Sequence, residues 1–460
     1  MTLSHLFYRS PVWLALPFCL LSGCSLAPHY DRPVAPVAAQ WSAPVQSEAD
    51  AKLHWRALFT DPALQKTIEL ALANNRDFRV AALNIERARA QYGIERAGLL
   101  PTVDGSLLGT KSHSDGNGDS QTLNANLGLA WEVDLFGRVR SLKKAALEDF
   151  FASQENRNAV AISLIASTAD AWLGLAADRD ILTVTQQTLQ ARQDAYDIAV
   201  GKAKIGVLSD LELNQARTLL EQARGDVATA ETQIDQDRSA LTLLTGVTVP
   251  DDLLPSGLSD ALVAGSLPVG LPSDVLLNRP DVLAAEHSLK AANADIGAAR
   301  AAFFPTISLT GALGAASGAL GDLFKSGNTT WSYGSRIGVP IFAGGANINT
   351  LRGAKASRDI AVAQYEGAIQ SAFNDVNQAL AVRARIDERL DAQVSANDAA
   401  QTTLRLSQAR YDSGTDSYLT LLDAQRTAYA SRQQLVNLQA LKATNLVALY
   451  RALGDDDSLN

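Results

Sequence analysis

Residues 75–103 read NRDFRVAALNIERARAQYGIERAGLLPTV, and residues 279–307 read RPDVLAAEHSLKAANADIGAARAAFFPTI. The second stretch repeats the first at an offset of 204 residues, and its landmarks keep their spacing: Asp77, Gly93 and Pro101 return as Asp281, Gly297 and Pro305. Residues 204–217 likewise return as residues 412–425, at an offset of 208. A repeat of this length is a duplicated structural unit, so each half of the chain predicts the architecture of the other half.

The N-terminus predicts export and a lipid anchor. Residues 1–23 hold one formal charge, Arg9, and an apolar stretch at 12–21 that is too short to span a bilayer, as in a signal peptide. Residues 21–24 read LSGC, which resembles a bacterial lipobox whose cleavage leaves Cys24 as a lipid-bearing N-terminus; the alternative is a buried free thiol. By resemblance to bacterial lipoprotein sorting, Ser25 after this cysteine points to the outer membrane.

Composition argues against several classes of function. Removal of Arg9 with the signal takes the net charge from -9 to -10, and an acidic chain without basic runs gives no support for nucleic-acid binding. The other cysteine, Cys19, lies in the predicted signal, so we expect neither a disulfide nor a cysteine metal site. No histidine pair has ligand spacing, and neither GxGxxG nor GxSxG occurs. We therefore expect no enzyme, no metal and no cofactor apart from a covalent lipid on Cys24.

Alternating apolar and polar residues predict β-strands in both copies. The clearest alternation spans residues 123–135, with leucines, Trp131 and Val133 on one face and asparagines, Glu132 and Asp134 on the other. Residues 301–321 lack charges, but their glycines and their period of two also indicate a strand rather than a membrane helix. Each copy is thus predicted to hold one hairpin, at about 102–135 and about 306–341. Residues 112–120 and 315–330 are predicted to be flexible, exposed loops.

The predicted strands have the length and pattern of outer-membrane barrel strands, which are apolar outside and polar inside. Their ends carry aromatic residues expected at the membrane interface, namely Trp131, Phe136, Trp331, Tyr333 and Phe342. The alternative on this pattern alone is the edge of a soluble sandwich. Four strands cannot close a membrane barrel, because open edges in lipid leave backbone groups unpaired. If the hairpins lie in the membrane, the protein must form an oligomer.

The remaining sequence predicts long helices that pair as coiled coils. Residues 141–204 contain no proline and little glycine. After Gly206, small and apolar residues follow steps of four and three, broken only at Asp237, and the second copy carries Asn445 at that position. The positions of the first seam are Ala216, Leu220, Ala223, Val227, Ala230, Ile234, Leu241 and Leu244. Polar residues on the other faces suit the wall of a tube.

Five stretches together resemble the outer membrane channels of the TolC type, and most closely the OprM-like lipoprotein branch that serves tripartite efflux. They are LSGCSL at 21–26, WEVDLFGR at 131–138, LPSD at 271–274 with RPD at 279–281, ARAAFFP at 299–305, and YLTLLDAQR at 418–426. The resemblance implies an α+β membrane protein. Four β-strands per protomer would contribute to a trimeric 12-stranded outer-membrane β-barrel, continued by a long α-helical periplasmic barrel of coiled-coil helices.

The resemblance also divides the chain. The expected parts are a signal peptide (1–23), an extended lipid-anchored segment (24–61), a first repeat (62–255), a linker (256–272), a second repeat (273–453) and a tail (454–460).

A periplasmic gate is implied near the end of the second repeat. Matching motif to motif places it on Leu419 and Asp423, which a trimer turns into an apolar ring and a negative ring. The alternatives are a surface pair of Asp423 with Arg426, three residues on, and hairpin packing for Leu419. Arg410 and Tyr411 resemble residues that hold the gate shut in OprM-like channels. Asp412, however, stands where such a relative has a basic residue. In the first copy, Gln215 takes the position of Asp423.

The tips of the two helical hairpins are expected to dock a periplasmic adaptor protein. The tip residues are Gly206, Val207, Leu208 and Ser209 in the first copy and Gly414, Thr415, Asp416 and Ser417 in the second. The glycines permit the reversal, and Ser209 with Glu212 forms a predicted capping box. Turn chemistry alone is the other interpretation of these residues.

The predicted function is therefore an exit channel for drugs or other small toxic compounds in the outer membrane of a Gram-negative bacterium. We expect it to serve a tripartite efflux system with an inner-membrane pump of the resistance-nodulation-division type. The expected partners are two further copies, the adaptor, the pump and outer-membrane lipid, with no nucleic acid. An exit duct for type I protein secretion and a structural periplasmic coiled-coil lipoprotein are the alternatives.

Overall fold

The structure is a computed structural model that describes residues 25–39, 41, 54–116, 118–258 and 273–454. The predicted signal peptide, Cys24, nearly all of the predicted linker and the tail after Gly454 lie outside the described residues.

The described chain contains eight α-helices and four strands, with three short 3-10 turns. In chain order they are α1 Trp55–Leu58, α2 Pro62–Asn74, α3 Arg76–Ala97, β1 Thr102–Ser114, β2 Gly118–Val133, α4 Arg138–Lys204, α5 Asp210–Thr245, α6 Pro280–Ala301, β3 Thr306–Ser317, β4 Thr329–Gly338, α7 Ala346–Asp412 and α8 Tyr418–Leu453. The copies match in length: α3 and α6 have 22 residues, α4 and α7 have 67, and α5 and α8 have 36. The predicted duplication and α+β fold class are confirmed.

The chain forms two compact units. One, the strand unit, comprises the described parts of residues 1–34 with Asn84–Gln154 and Ala284–Glu366, and therefore contains both hairpins. The other, the helical unit, comprises the described parts of 35–83, 155–283 and 367–460, and contains α5, α8 and most of α4 and α7.

The strand unit holds one antiparallel sheet in the order β1-β2-β3-β4. Its register aligns Leu127 of β2 with Leu313 of β3 and with Trp331 of β4. The next row on the same face aligns Leu129 with Gly311 and Tyr333. The large side chains in both rows are exposed, so the sheet presents a continuous apolar face. Strands β1 and β4 form its two edges.

The loops that connect the strands are shorter than the sequence predicted. In the first hairpin, the ladder continues to Ser114, which pairs with Gly118. The carboxylate of Asp119 lies 3.1 Å from Lys111 Nζ and 2.7 Å from His113 Nδ1. In the second, β3 runs to Ser317, and a 3-10 turn places Leu323 in a buried position. The loop prediction was wrong for most of 112–120 because polar residues there pair across the ladder without an apolar alternation to reveal them.

The helical unit is built around one apolar cluster. Its largest buried members are Trp55, Phe59, Leu64, Ile68, Ile165, Trp172, Leu173, Leu175, Leu241 and Tyr450. Helix α4 therefore has an apolar stretch long enough to cross a membrane, but most of that stretch is buried inside the protein. Burial of each large side chain contributes about 1.5–3 kcal/mol, which anchors α2, α4, α5 and α8 to one another.

The two seams follow the predicted steps. In α5, Ala216, Leu220, Ala223, Ala230 and Leu241 are buried. In α8, four of the five equivalent residues are buried as well, namely Ala424, Ala428, Leu438 and Leu449. At the break in the pattern, Asn445 is buried and its Nδ2 donates to the Ala379 carbonyl at 3.0 Å. The polar break thus ties α8 to α7.

Residues 25–34 lie against α6 within the strand unit, and we call them the strap. The Leu26 carbonyl accepts Arg300 Nη1 at 2.9 Å, and the Pro28 carbonyl accepts Asn293 Nδ2 at 2.9 Å. Between these bonds, a Cβ on Gly297 would lie 2.8 Å from the Ala27 nitrogen, so only glycine permits this approach.

The far end of the strap is fixed by Glu286 of α6, whose side chain is 3% exposed. Arg32 donates to it through Nη2 at 2.6 Å and Nε at 3.1 Å, while Tyr30 Oη donates at 3.1 Å. Lys290 Nζ lies 3.0 Å away on the same helix. The buried carboxylate is therefore satisfied largely by the strap.

Candidate gate and docking tips

Each long helical hairpin turns at a glycine in the left-handed region. Gly206 has φ 75° and Gly414 has φ 72°, a conformation that side chains with a Cβ rarely adopt. The turns share one hydrogen-bond pattern: Val207 N donates to the Lys202 carbonyl at 3.0 Å, and Thr415 N donates to the Arg410 carbonyl at 2.9 Å. These bonds close the last turn of the first helix, as expected for a glycine C-cap.

Serine restarts the chain as a helix after both turns, but the two caps differ. Ser209 Oγ accepts Glu212 N at 3.2 Å, and Glu212 Oε2 accepts Ser209 N at 3.2 Å, so the predicted capping box is confirmed. Ser417 Oγ accepts Thr420 N at 3.3 Å, and Thr420 has no carboxylate to return the bond. The second cap therefore has only one of the two hydrogen bonds of the capping box.

Leu419 and Asp423 lie one turn apart on α8 and share a face of the helix. Leu419 is 63% exposed and the side chain of Asp423 is 75% exposed. Arg426 Nη2 lies 3.3 Å from Asp423 Oδ1, so the surface pair anticipated as the alternative forms within one chain. Exposure of a large apolar side chain beside a carboxylate leaves both available to further copies of the chain.

Arg410 and Tyr411, at the end of α7, make separate contacts. Arg410 Nε lies 3.2 Å from Asp416 Oδ2, across the turn. Hydrogen bonds from Ser417 and Thr420, and then the charge of Arg410, hold the pKa of the Asp416 carboxyl below its usual value. Asp412 instead accepts Gln408 Nε2 at 3.0 Å. The salt bridge at this tip therefore uses Asp416 rather than Asp412.

Tyr411 brings the two hairpins together. Its ring lies 5.4 Å from the ring of Tyr418 on α8, and Lys202 Nζ of α4 lies 5.2 Å from its centroid. Burial raises the pKa of the Tyr411 hydroxyl, and the charges of Glu212 and Asp412 add to that effect. Tyr418 and Lys202 were not predicted as site residues. The aromatic residue that opens the YLTLLDAQR stretch was the signal for Tyr418, whereas Lys202 had none.

The residues predicted at the membrane interface separate into two groups. Trp331, Tyr333 and Phe342 are exposed, and the first two rings stack at 5.8 Å. Trp131 Nε1 donates to the Leu99 carbonyl at 3.1 Å, and the ring of Phe136 stacks on Phe304 at 4.8 Å. Trp131, near the end of β2, and Phe136, just after it, therefore pack within the strand unit and are only partly exposed.

Comparison with known proteins assigns the fold to a family. The model for the family described as outer membrane efflux protein matches residues 67–247 and 271–455, so it recognises each copy separately and covers well over half of the chain. The chain belongs to this family. The resemblance expected from the sequence motifs is thereby confirmed.

Individual members of the family are similar over nearly their full length. The antibiotic efflux pump outer membrane protein ArpC and the toluene efflux pump outer membrane protein TtgC, both from Pseudomonas putida, are each 43% identical to this chain over 461 residues, covering 97% of this chain and 95% of theirs. The crystal structure of the open state of the MtrE outer membrane channel from Neisseria gonorrhoeae is similar with a TM-score of 0.86 and 40% identity, covering 94% of this chain and 98% of that chain.

Membership settles the class of protein. The chain is an outer membrane efflux channel that extends into the periplasm, and it is not an enzyme and needs no cofactor. The exposed apolar sheet then has an explanation as a membrane-facing surface, and the soluble-sandwich interpretation is excluded. The relatives give no support to a protein-secretion duct or to a structural spacer.

Proposed function

We propose that three copies of the chain associate and close one 12-stranded barrel in the outer membrane. The observation that carries this proposal is the four-stranded sheet with an exposed apolar face and two edges, β1 and β4. An edge in lipid costs several kcal/mol for each unpaired backbone group, and pairing β4 of one copy with β1 of the next removes both edges. Three copies give a closed sheet of a size known for membrane barrels.

In this trimer, Leu419 and Asp423 form the periplasmic gate. Each would occur three times around the tunnel, as an apolar constriction and a ring of carboxylates. Their exposure at one end of α8 supports this role. The pair with Arg426 is compatible with it, since an i,i+3 surface pair contributes only about 0.2–0.5 kcal/mol and is easily exchanged.

The tunnel serves a tripartite pump. The tips around Gly206 and Gly414 dock a periplasmic adaptor, which connects the channel to an inner-membrane pump of the resistance-nodulation-division type. Exposure of Val207 and the backbone turns of both tips support such a contact. The names of the relatives suggest small toxic compounds, such as antibiotics and organic solvents, as the exported class.

A lipid on Cys24 anchors the mature N-terminus. The strap begins one residue later, and its first hydrogen bond to α6 is at Leu26, near the end of the helix that leads into β3. The lipobox resemblance and this position beside the sheet support lipidation. Intact-mass measurement of the purified protein tests it, because an unmodified Cys24 or an uncleaved signal would contradict the anchor.

Single-channel recording in planar bilayers tests the gate. The double variant Leu419→Ala with Asp423→Ala should raise conductance severalfold and weaken block by divalent cations, since it removes both rings. Gln215→Ala with Leu211→Ala, at the equivalent positions of the first copy, is the matched control and should leave conductance unchanged. Equal conductance of wild type and gate variant in a confirmed trimer would refute the gate assignment alone. A protein that remains monomeric in detergent and conducts nothing would refute the barrel.

A further inference from the structure

A groove of about 430 Å³ lies between α4, α7 and α8 in the helical unit. Three arginines line it: Arg192 from α4, Arg405 from α7 and Arg432 from α8. Its other polar lining is mainly glutamine, and no carboxylate is among the described residues that line it. The groove is therefore strongly positive, and its charges come from both helical hairpins.

Arg192 is the unusual member of this set. Its side chain is only 9% exposed, and its buried Nη1 has no hydrogen-bond partner among the described residues. Burial lowers the pKa of the Arg192 guanidinium, but arginine stays protonated in proteins. A buried donor of a charged group is costly without a hydrogen bond, so an anion that accepts from Nη1 would stabilise this site.

The carboxylate of Asp226 does not supply that partner. Asp226 of α5 attracts Arg192, but its Oδ2 accepts the Tyr429 hydroxyl at 3.2 Å and the residue is exposed. Burial and the charge of Asp226 raise the pKa of Tyr429 to about 12, so this hydroxyl remains a neutral donor. Arg426 adds another positive charge that opposes Arg192.

We propose that the groove binds a free polyvalent oxyanion, of the phosphate or polycarboxylate class, through Arg192, Arg405 and Arg432. Guanidinium groups present forked donors that match the oxygens of such anions, and charge-assisted bonds of this kind are the strong ones. The groove is large enough to hold one phosphate ion together with part of its hydration water. Because Arg192 belongs to the first hairpin and the other two arginines to the second, one bound anion would bridge the hairpins.

Calorimetric titration of the detergent-extracted full-length protein with inorganic phosphate tests the proposal, with chloride at matched ionic strength as the reference. We expect saturable binding of one phosphate per chain and none of chloride. Arg192→Gln should weaken phosphate binding at least tenfold, and Arg432→Gln should weaken it severalfold. Arg224→Gln is the matched control, since this exposed arginine of α5 pairs with Glu221 at 3.0 Å and should leave affinity unchanged.

The variants should fold, because Arg192→Gln removes a buried charge that has no partner, and circular dichroism checks this. Arg432→Gln changes a half-buried side chain and keeps the test open if the first variant fails. Phosphate should also raise the unfolding temperature of wild type and of Arg224→Gln, but not that of Arg192→Gln. Absence of phosphate binding to wild type overturns the site, including the case in which a carboxylate of a neighbouring copy already fills the groove. Unchanged affinity in both groove variants overturns it equally.

Discussion

Replacing Arg32 by alanine should destabilise the strand unit by far more than an ordinary surface ion pair contributes. Arg32 reaches the Glu286 carboxylate at 2.6 Å, and the Glu286 side chain is 3% exposed. Breaking a buried pair costs about 3–5 kcal/mol, because the remaining charge stays buried. Arg32 itself is 47% exposed and Lys290 still faces Glu286 at 3.0 Å, so we discount the loss to about 1.5–3 kcal/mol.

The loss should depend on pH in a defined direction. Burial acts to raise the pKa of the Glu286 carboxyl, but hydrogen bonds from Arg32, Lys290 and Tyr30 outweigh burial and lower it. A lowered pKa in the folded state contributes stability that is present above the ordinary glutamate value, roughly 4.3, and is lost as pH falls through the folded value. The difference between wild type and Arg32→Ala should therefore be full at pH 7 and shrink in acid.

Urea unfolding of the detergent-extracted protein, followed by tryptophan fluorescence, measures this difference. Arg358→Ala is the matched control, because Arg358 lies 2.6 Å from Asp359 and is 41% exposed, while its partner is 64% exposed. The control should cost less than about 1 kcal/mol. A double-mutant cycle with Glu286→Gln should give a coupling energy above about 1 kcal/mol. Equal losses for the two arginine variants, or no coupling, would refute the reasoning from buried charge.

Two further predictions concern the helical unit. Leu241→Ala should lower the free energy of unfolding in urea by about 2–5 kcal/mol, because Leu241 is fully buried in the central cluster. Leu243, its neighbour on α5, is exposed, so Leu243→Ala should change that free energy by less than about 0.5 kcal/mol. Similar losses for the two variants would contradict the assigned core. Burial, with the hydrogen bond and charge of Asp237, raises the pKa of Asp178 to about 7, so the folded state holds an extra proton and stability should fall as pH rises from about 4 to about 7. Asp178→Asn should flatten that slope in pH-dependent melting, and an unchanged slope would show that another group titrates.

Periodicity predicted the helices well because it records burial directly. The absence of proline from 141–204 and the seam from Ala216 to Leu241 correspond to α4 and to the buried face of α5. The same rule failed at the ends of the hairpins. His113 and Asp119 pair across the ladder, but both are polar, so no alternation distinguished them from a loop.

The structure of the candidate docking tips and gate was predictable only where it is local. Gly206, Gly414 and the Ser209–Glu212 box carry their own turn and capping signals within a few residues. The contact of Lys202 with Tyr411 joins helices about two hundred residues apart in the chain, and nothing near either residue predicts it. Arg192 was overlooked for a related reason, since burial of a charged residue on α4 depends on how α7 and α8 pack against it.

The equal lengths of the paired helices indicate how the two copies are used. One inserted residue moves everything beyond it by about 1.5 Å along a helix and by about 100° around it. A solitary coiled coil tolerates such a change at its free end. Yet α4 and α7, and likewise α5 and α8, have kept the same number of residues while their sequences diverged. Length is conserved in this way when both copies must bring their turns to one level and present the same seam, as alternating members of one tunnel wall do. The residues at which the tips differ, Gln215 against Asp423 and Glu212 against Thr420, would then let one hairpin of each pair form the proposed gate.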